Sequence, residues 1–285
     1  MLLATALFLL FFVLAWGGIH LLLPRLWRVF GRALRAFARL VLGRPRLAQW
    51  YARRVKTLHP YRRLLAIALV GFLAAVATGA VFLGLAEEVR ASSPSLQHLD
   101  HHVWELARSH RSPGRTTFFV AFTLLGTPVG LGAVVLLSVA FLVARGHRRL
   151  PLFLAGATLG AWALNHVLKA LFARARPDLT LALRHTSGYS FPSGHAMMSL
   201  VTFGALVYVA ARVSHRPREQ SFCAALALSI VAAISLSRVY LGVHWTSDIA
   251  GGWAAGLVWL AASVGTYEVF RHLRLVRGGL SRAPE

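Results

Sequence analysis

The chain of 285 residues contains little cysteine, lysine or acid. Its one cysteine, Cys223, lies in an apolar run, and a single cysteine excludes both an intrachain disulfide and a cysteine-based metal site. Nine residues are acidic and 31 are lysine or arginine, of which only Lys56 and Lys169 are lysines. Charged residues make up 14% of the chain and hydrophobic ones 57%. This composition is too apolar for a soluble domain and indicates several membrane spans.

Seven apolar runs are long enough to cross a bilayer, and we expect one transmembrane helix from each. The runs are residues 1–23, 64–86, 116–144, 150–168, 196–213, 221–237 and 249–270. Glycines and Pro128 within the third run predict a span with an irregular or tilted start. No basic residue precedes the first run, so we expect it to remain as an uncleaved anchor with its N-terminus outside. Residues 87–115 are predicted to form a polar loop.

The net charge of +22 suggests nucleic-acid binding, but the placement of the charge argues against it. Residues 24–63 hold twelve lysines and arginines and no acid. Five arginines in this segment are three or four residues apart, which predicts a basic amphipathic helix: Arg25, Arg28, Arg32, Arg35 and Arg39. We expect this helix to bind anionic lipid headgroups, or to mark the cytoplasmic side by its charge alone. No nucleic-acid partner is expected.

The predicted spans place most of the remaining positive charge on the same side of the membrane as the basic segment. That side would hold the turns at 145–149 and 214–220 and the C-terminal tail, as the positive-inside rule requires. We therefore expect a bacterial inner (plasma) membrane protein whose motif loops face the periplasm or exterior. The predicted division is an anchor with its basic segment at 1–63, a core at 64–270 and a basic tail at 271–285.

Twelve residues between the last two apolar runs, from Ser237 to Asp248, include an arginine, a histidine and an aspartate. If the following helix has begun by His244, then His244 and Asp248 lie one turn apart on one face. Asp248 would accept the Nδ1 proton and leave Nε2 free as a nucleophile or base. Arg238 would supply a forked positive charge suited to phosphate. A helix-end salt bridge beside a structural histidine explains these residues equally well.

Two cations stand in the loop after the fourth run. Lys169 and Arg176 are seven residues apart, which places them on one face if the helix continues until Pro177 stops it. Two cations at the membrane boundary are suited to hold a phosphoryl group. Snorkelling of ordinary flanking cations is the alternative explanation.

The same loop ends with Pro-Ser-Gly-His, directly before the fifth run. Ser193, Gly194 and His195 would present free N–H groups at a helix start, and such groups favour an anion. His195 at that position could also donate a proton to a leaving oxygen. A simple capped helix is the alternative.

Together these segments resemble the three signatures of the type 2 phosphatidic acid phosphatase superfamily. They match Lys-x6-Arg-Pro at 169–177, Pro-Ser-Gly-His at 192–195 and Ser-Arg-x5-His-x3-Asp at 237–248, and the resemblance covers roughly residues 64–270. It implies an all-α membrane fold with a six-helix core. To this core the chain would add one N-terminal transmembrane helix and the basic surface helix. It also implies hydrolysis through a phosphohistidine, with no cofactor and no metal.

The resemblance implies a role for each signature residue. His244 would attack phosphorus, Asp248 would fix its tautomer, and His195 would act as acid and then as base. The predicted phosphate-binding groups are Lys169, Arg176, Arg238 and the backbone donors of Ser193 and Gly194. Pocket-lining candidates are Asn165, His166, Tyr189 and Trp245, for which packing in the span or at the membrane interface is an equal explanation.

Other polar residues and functions were weighed against this interpretation. Four residues in the 87–115 loop resemble a metal cluster but are interpreted as solvated: His98, Asp100, His101 and His102. Arg174 is interpreted as an outer cation of the site or as solvated. The expected substrate is a lipid phosphate or pyrophosphate: undecaprenyl pyrophosphate, phosphatidylglycerophosphate, phosphatidic acid or lipid A. The alternatives are phosphoryl transfer to a lipid or sugar hydroxyl, and a non-catalytic membrane protein that retains the fold.

Overall fold

The computed structural model describes residues 4–22, 25 and 62–280, and this part of the chain is helical without strands. Its helices are α1 (Ala4–Leu22), α2 (Arg62–Arg90), α3 (Pro94–Ser109), α4 (Pro113–Leu125), α5 (Pro128–Ala144), α6 (Arg149–Phe172), α7 (Gly194–Val213), α8 (Pro217–Tyr240) and α9 (Thr246–Leu280). A short 3₁₀ helix, Leu179–Leu181, lies between α6 and α7. The predicted amphipathic helix at 24–63 falls outside the described residues, except for Arg25 and the last two positions.

Six of the described helices are long and apolar enough to cross a membrane: α1, α2, α6, α7, α8 and α9. Helices α4 and α5 bend by 55° at a short break and make a seventh span if they are counted as one. The break falls at Gly126 and Thr127, within the run for which an irregular start was predicted. The protein is therefore an integral membrane protein.

The segment at 87–115 is not the polar loop that was predicted. Helix α2 continues to Arg90, and α3 then occupies most of the segment. Pro94 opens α3 at a position where its missing N–H costs nothing. Helix α3 buries Asp100 and Trp104 and packs Val103 against α7, α8 and α9. It therefore covers one end of the helix bundle.

The last helix is also longer than predicted. The apolar run ends at residue 270, whereas α9 continues to Leu280, so most of the predicted tail is helical. Leu273 and Arg274 belong to this extension and are exposed. The charges beyond residue 270 did not stop the helix, because arginines near a helix C-terminus are favoured by its dipole.

Helix α9 packs along α2 and α7, while α8 packs on α7. Small residues bring the backbones of α9 and α7 together. A Cβ atom on Gly252 would lie 2.8 Å from the carbonyl oxygen of Ser193, and one on Gly256 would lie 3.2 Å from that of Met197. This close approach holds the N-terminal ends of α7 and α9 side by side.

The N-terminal helix packs against α4 and α8 through aromatic side chains. The Phe8 ring lies 5.0 Å from that of Phe122, and the Phe12 ring lies 5.4 Å from that of Phe222. Helix α1 therefore lies on the outside of the bundle, next to the bent pair.

We expect Gly252→Ala to lower the free energy of unfolding by about 1–3 kcal/mol, since the added methyl group meets the Ser193 carbonyl and forces the two helices apart. Gly265→Ala on the same helix is the matched control. A Cβ there meets no atom within 4 Å, so alanine should leave stability unchanged or slightly raised. Thermal unfolding in detergent micelles measures both. Equal melting temperatures for the two variants would contradict this packing.

Candidate active site

The three signature segments meet at the bundle end that α3 covers. The Ser193 N–H donates to the carbonyl oxygen of Asp248 at 2.9 Å, and the Ser190 N–H donates to that of Arg174. The Lys169 ammonium donates to the Tyr189 carbonyl at 2.5 Å. The C-terminal ends of α6 and α8 and the N-terminal ends of α7 and α9 therefore surround one site.

His244 is presented by a tight turn after α8. The N–H of Gly242 bonds to the carbonyl of Val239, and that of Val243 bonds to the carbonyl of Arg238. Gly242 has φ = 80°, and this pair of bonds closes the helix in a Schellman motif that favours glycine. The turn directs the His244 ring inward, where only 2% of the residue is exposed.

Asp248 contacts His244, but the two residues do not lie one turn apart on a helix as was expected. Helix α9 begins at Thr246, so His244 precedes it. Asp248 is the third residue of α9, and its Oδ2 accepts the Trp245 N–H at 2.9 Å, as an acid does in a capping box. The same oxygen lies 3.1 Å from His244 Nδ1. The contact is therefore part of the helix cap.

The partners of His244 define its tautomer. The Arg176 Nη1 group lies 3.1 Å from Nε2, and a guanidinium can only donate. Nε2 must therefore be the unprotonated nitrogen, and Nδ1 carries the proton that is donated to Asp248. This is the tautomer in which Nε2 has a free electron pair for attack.

The environment of His244 keeps the ring neutral. Burial lowers the pKa of His244 well below its ordinary value of about 6.5, and the cations Arg238, Arg176 and Lys169 lower it further. Since the charged form is disfavoured by both causes, the nucleophilic form is present at neutral pH and below it.

The cations are held in place by hydrogen bonds to main-chain and side-chain oxygens. Arg176 donates to the carbonyls of Gly188 at 2.8 Å and Val243 at 2.8 Å. The buried Arg238 donates Nη1 to Thr123 Oγ1 at 2.7 Å. Neither arginine has a carboxylate partner within 4.0 Å among the described residues. Their positive charge remains available to an anion.

The two cations were expected to share a helical face, but Arg176 and Lys169 do not. Helix α6 ends at Phe172, and Ala173 takes a left-handed conformation with φ = 44°. The chain then turns back, so that Lys169 acts from the helix end and Arg176 from the loop. Both nevertheless interact electrostatically with His244.

Several buried polar atoms of the site have no hydrogen-bond partner among the described residues. They are Ser193 Oγ, His195 Nε2 and Arg238 Nε. Such groups are rare in folded proteins, because each costs free energy unless a ligand or water satisfies it. His195 also interacts electrostatically with Arg238, His244, Arg176 and Lys169. Two of the residues with unpaired groups, His195 and Arg238, therefore act electrostatically on His244.

The start of α7 adds backbone donors, with one correction. The Ser193 N–H is used by the Asp248 carbonyl, so it is not the free donor that was predicted. The N–H groups of Gly194 and His195 begin the helix and have no acceptor among the described residues. A Cβ on Gly194 would lie 3.0 Å from Asn165 Oδ1, so glycine allows this close packing. The buried Ser193 hydroxyl has no partner among the described residues.

Comparison with known proteins agrees with this geometry. Residues 150–271 match the model of the PAP2 superfamily. They contain all three signature segments and helices α6 to α9 almost completely.

The curated relatives are named as lipid phosphatases. Phosphatidylglycerophosphatase B of Bacillus subtilis is 36% identical over 114 residues, which are 39% of this chain and 55% of the relative. Undecaprenyl-diphosphatase of Sulfolobus acidocaldarius is 30% identical over 120 residues, 40% of this chain and 54% of the relative. The chain spans about half the length of these relatives.

A solved structure extends the PAP2 likeness to the fold. The crystal structure of a transmembrane PAP2-type phosphatidylglycerolphosphate phosphatase from Bacillus subtilis aligns with a TM-score of 0.63 and 28% identity. The alignment covers 67% of this chain and 94% of that protein. This match confirms the all-α membrane fold that the resemblance implied.

A carboxylate outside the matched PAP2 residues supports the site. Arg174 donates to Asp248 Oδ1 and to Asp100 Oδ2, each at 2.8 Å. Asp100 is 1% exposed and also accepts the N–H of Ser247 at 2.9 Å. Interpreting Asp100 as solvated was therefore wrong. Of the two interpretations of Arg174, the contacts agree with an outer cation of the site. The sequence did offer one signal for a buried Asp100. It is one of only nine acids in the chain and stands one helical turn before Trp104.

The bent pair α4–α5 also reaches the candidate active site. Thr123, which accepts from Arg238, is buried near the end of α4. A Cβ on Gly126 would lie 2.9 Å from the ring of His195. Sequence reasoning missed both residues, although Gly126 was noted as a source of irregularity in the span.

The pocket-lining candidates separate into two groups. Asn165 is buried and lies 3.5 Å from the Pro192 carbonyl. Trp245 donates Nε1 to the Ala175 carbonyl at 3.3 Å, and the Tyr189 carbonyl accepts from Lys169. His166, in contrast, is on the exposed side of α6, with its ring 4.3 Å from that of Trp162, and is not part of the site.

The polar residues of α3 do not form a metal cluster. Among the described residues, no group of three or more His, Cys, Asp or Glu side chains is arranged to hold a metal ion. The His101 ring packs on Trp245 at 4.8 Å, and His98 and His102 are exposed. A cleft of about 490 Å³ opens here, lined by both Arg176 and Trp245.

We expect the ¹⁵N chemical shifts of His244 to report a neutral ring with the proton on Nδ1 at pH 6.5, where an ordinary imidazole is half charged. His244→Gln identifies the signal by its loss. Because the unfolded chain binds the proton first, stability should fall by roughly 1 kcal/mol per pH unit below about pH 6.5. The His244→Gln variant should lack this part of the pH dependence. A ring that titrates near pH 6.5 would contradict the assignment.

We expect Arg174→Gln to lower the free energy of unfolding by about 3–5 kcal/mol, because two buried carboxylates lose their shared cation. Arg216→Gln is the control, since its pair with Glu219 is exposed and should contribute little. Chemical denaturation in mixed micelles compares the two variants. Similar losses would show that the Arg174 pairs are not important for stability.

Proposed function

We propose that the protein is a membrane phosphatase that hydrolyses a lipid phosphate or pyrophosphate through a phosphohistidine at His244. The observation that carries this proposal is the position of the unprotonated Nε2, at 3.1 Å from Arg176 Nη1 and within range of two further cations. Nitrogen nucleophiles and cations in this arrangement suit in-line attack on phosphorus. A non-catalytic protein would gain nothing from so many unpaired buried donors.

In the first step, His244 Nε2 attacks phosphorus, and an N–P bond forms as the bond to the leaving oxygen breaks. His195, charged as an imidazolium beside the bound phosphate, gives its Nε2 proton to that oxygen and becomes neutral. Asp248 accepts from Nδ1–H and stabilises the charge that develops on the ring. In the second step, His195 takes a proton from water, which attacks phosphorus and breaks the N–P bond to release phosphate.

The oxyanion groups come from three helices and one loop. Lys169, Arg176 and Arg238 surround His244, and the N–H groups of Gly194 and His195 point from the start of α7. Such donors stabilise the charge on the phosphoryl oxygens in the transition state. Arg176 would transfer its hydrogen bond from Nε2 to a phosphoryl oxygen when substrate binds. These cations supply the positive charge, so we propose a reaction without a divalent metal.

The substrate class follows from the membrane position and the relatives. The site lies at the ends of membrane-spanning helices, so an acyl or prenyl tail can remain in the bilayer while the phosphate reaches His244. The relatives are named for phosphatidylglycerophosphate, undecaprenyl diphosphate and decaprenylphosphoryl-5-phosphoribose. The cleft beside Arg176 has room for the rest of such a headgroup.

The orientation that we propose follows from the arginines at the other end of the bundle. The turns between α5 and α6 and between α7 and α8 carry arginine, as does the end of α9. Under the positive-inside rule this end is cytoplasmic, and the site faces the periplasm or exterior of a bacterial inner membrane. Residues 64–270 would form the phosphatase core, with the anchor and basic segment before it.

We expect His244→Ala to abolish phosphate release and Asp248→Asn to lower the rate by about 10⁴, because the wrong tautomer would then be favoured. His166→Ala is the matched control, since this exposed histidine lies outside the site and should retain activity. Release of inorganic phosphate from a panel of lipid phosphates in micelles, with and without a chelator, measures each variant.

Rapid quenching should also trap an acid-labile phosphoryl group on the wild-type protein and none on His244→Ala. Near-normal turnover by His244→Ala would refute the proposal. If an added lipid or sugar alcohol becomes phosphorylated in place of water, the enzyme is a phosphotransferase with the same intermediate.

A further inference from the structure

A second groove lies at the opposite end of α6 and α9 from the candidate active site. Its volume is about 830 Å³, and both helices line it. Arg149 at the start of α6 precedes Lys169 by 20 residues, and a helix rises 1.5 Å per residue. The groove mouth is therefore about 30 Å from the site, which is the thickness of a bilayer's hydrocarbon core.

The wall of the groove is apolar and open toward the membrane. Leu152 and Phe270 are exposed along it. Trp259 crosses between the helices and donates Nε1 to the Ala157 carbonyl at 2.8 Å. It fits because Gly160 has no side chain, since a Cβ there would lie 2.2 Å from the indole. At Gly156, in contrast, a Cβ would meet nothing within 4 Å. The groove has space for an acyl chain along Gly156.

The mouth of the groove is strongly basic. Four arginines from both helices and the preceding turn line it: Arg148, Arg149, Arg271 and Arg274. Arg271 pairs with Glu268 at 2.7 Å, and Glu268 also accepts from Tyr208. The other three arginines have no hydrogen-bond or ion-pair partner among the described residues. Their charge is therefore not neutralised by the residues that the structure describes.

We propose that this groove binds an anionic diacyl phospholipid, with its phosphate against Arg148, Arg149 and Arg274 and an acyl chain beside Gly156. Basic pockets between transmembrane helices are suited to lipid phosphates, and guanidinium groups bind them with two parallel hydrogen bonds. The groove is open to the bilayer along its apolar wall, which a lipid satisfies and a free anion does not. The site shares no residue with the candidate active site, so it does not depend on the proposed function.

The test uses the full-length protein in nanodiscs or micelles. Phosphatidylglycerol is the lipid probe. The triple variant Arg148→Gln, Arg149→Gln and Arg274→Gln is compared with the control triple Arg145→Gln, Arg216→Gln and Arg218→Gln. The control loses the same charge at the same end of the bundle but outside the groove. Any lipid in the catalytic site contributes equally to both variants.

Native mass spectrometry and lipid-dependent thermal shifts should show on the order of 10²-fold weaker phosphatidylglycerol binding for the groove triple, at about 1 kcal/mol per arginine. The control triple should bind within a few-fold of wild type. Equal losses of phosphatidylglycerol binding in the two triples would overturn the proposal. So would wild-type protein that binds phosphatidylcholine as tightly as phosphatidylglycerol.

A second pair of variants tests the acyl-chain part. Gly156→Leu fills the groove without changing its charge, and Gly132→Leu on α5 is the control, because a Cβ at either position meets no atom within 4 Å. We expect Gly156→Leu alone to weaken phosphatidylglycerol binding by about tenfold. Unchanged binding in Gly156→Leu, or displacement of the lipid by equimolar inorganic phosphate, would show that the groove takes a free anion and would overturn the lipid assignment.

Discussion

The buried carboxylate of Asp248 is the contact on which the rest of the site depends. It is fully buried, and it accepts from His244, Trp245 and Arg174. A buried carboxylate is stable only when its lone pairs are used, and here each bond also performs a structural task. One caps α9, one selects the His244 tautomer, and one anchors the loop after α6. The loss of this carboxylate would therefore disturb three chain segments at once.

The carboxylates of the site are paired with a cation, whereas two of its arginines are not paired with a carboxylate. Asp100 and Asp248 share Arg174, so the negative charges are neutralised within the protein. Among the described residues, Arg238 and Arg176 bond to neutral oxygens and to the His244 ring, and Arg238 Nε has no partner. In a medium of low dielectric constant, cations without carboxylate partners attract an anion far more strongly than they would in water. Burying these cations costs stability, and binding of an anion such as the proposed phosphate would offset that cost.

Helix α3 and the bent pair show how far the sequence could be interpreted. Both lie before residue 150, outside the matched family region, and carry no signature that names a contact. Asp100 was visible as an acid, and Thr123 as a polar residue inside an apolar run. Neither could be assigned a partner, because Arg174 and Arg238 are 74 and 115 residues away in the chain. Spacing rules describe neighbours within one helix and are silent about such contacts.

The sequence by itself determined the membrane class, nearly all the spans and the three polar segments, because apolar length and residue type are local properties of the chain. It did not determine how those segments meet. The ring of His244 is placed by a Schellman turn and a helix cap instead of by helical spacing, and Arg176 reaches it from a loop beyond the left-handed Ala173. The use of the Ser193 N–H by Asp248 was likewise decided by the close packing of α7 on α9. Tertiary structure decided these points, because a hydrogen bond between distant residues depends on where both helices end in space.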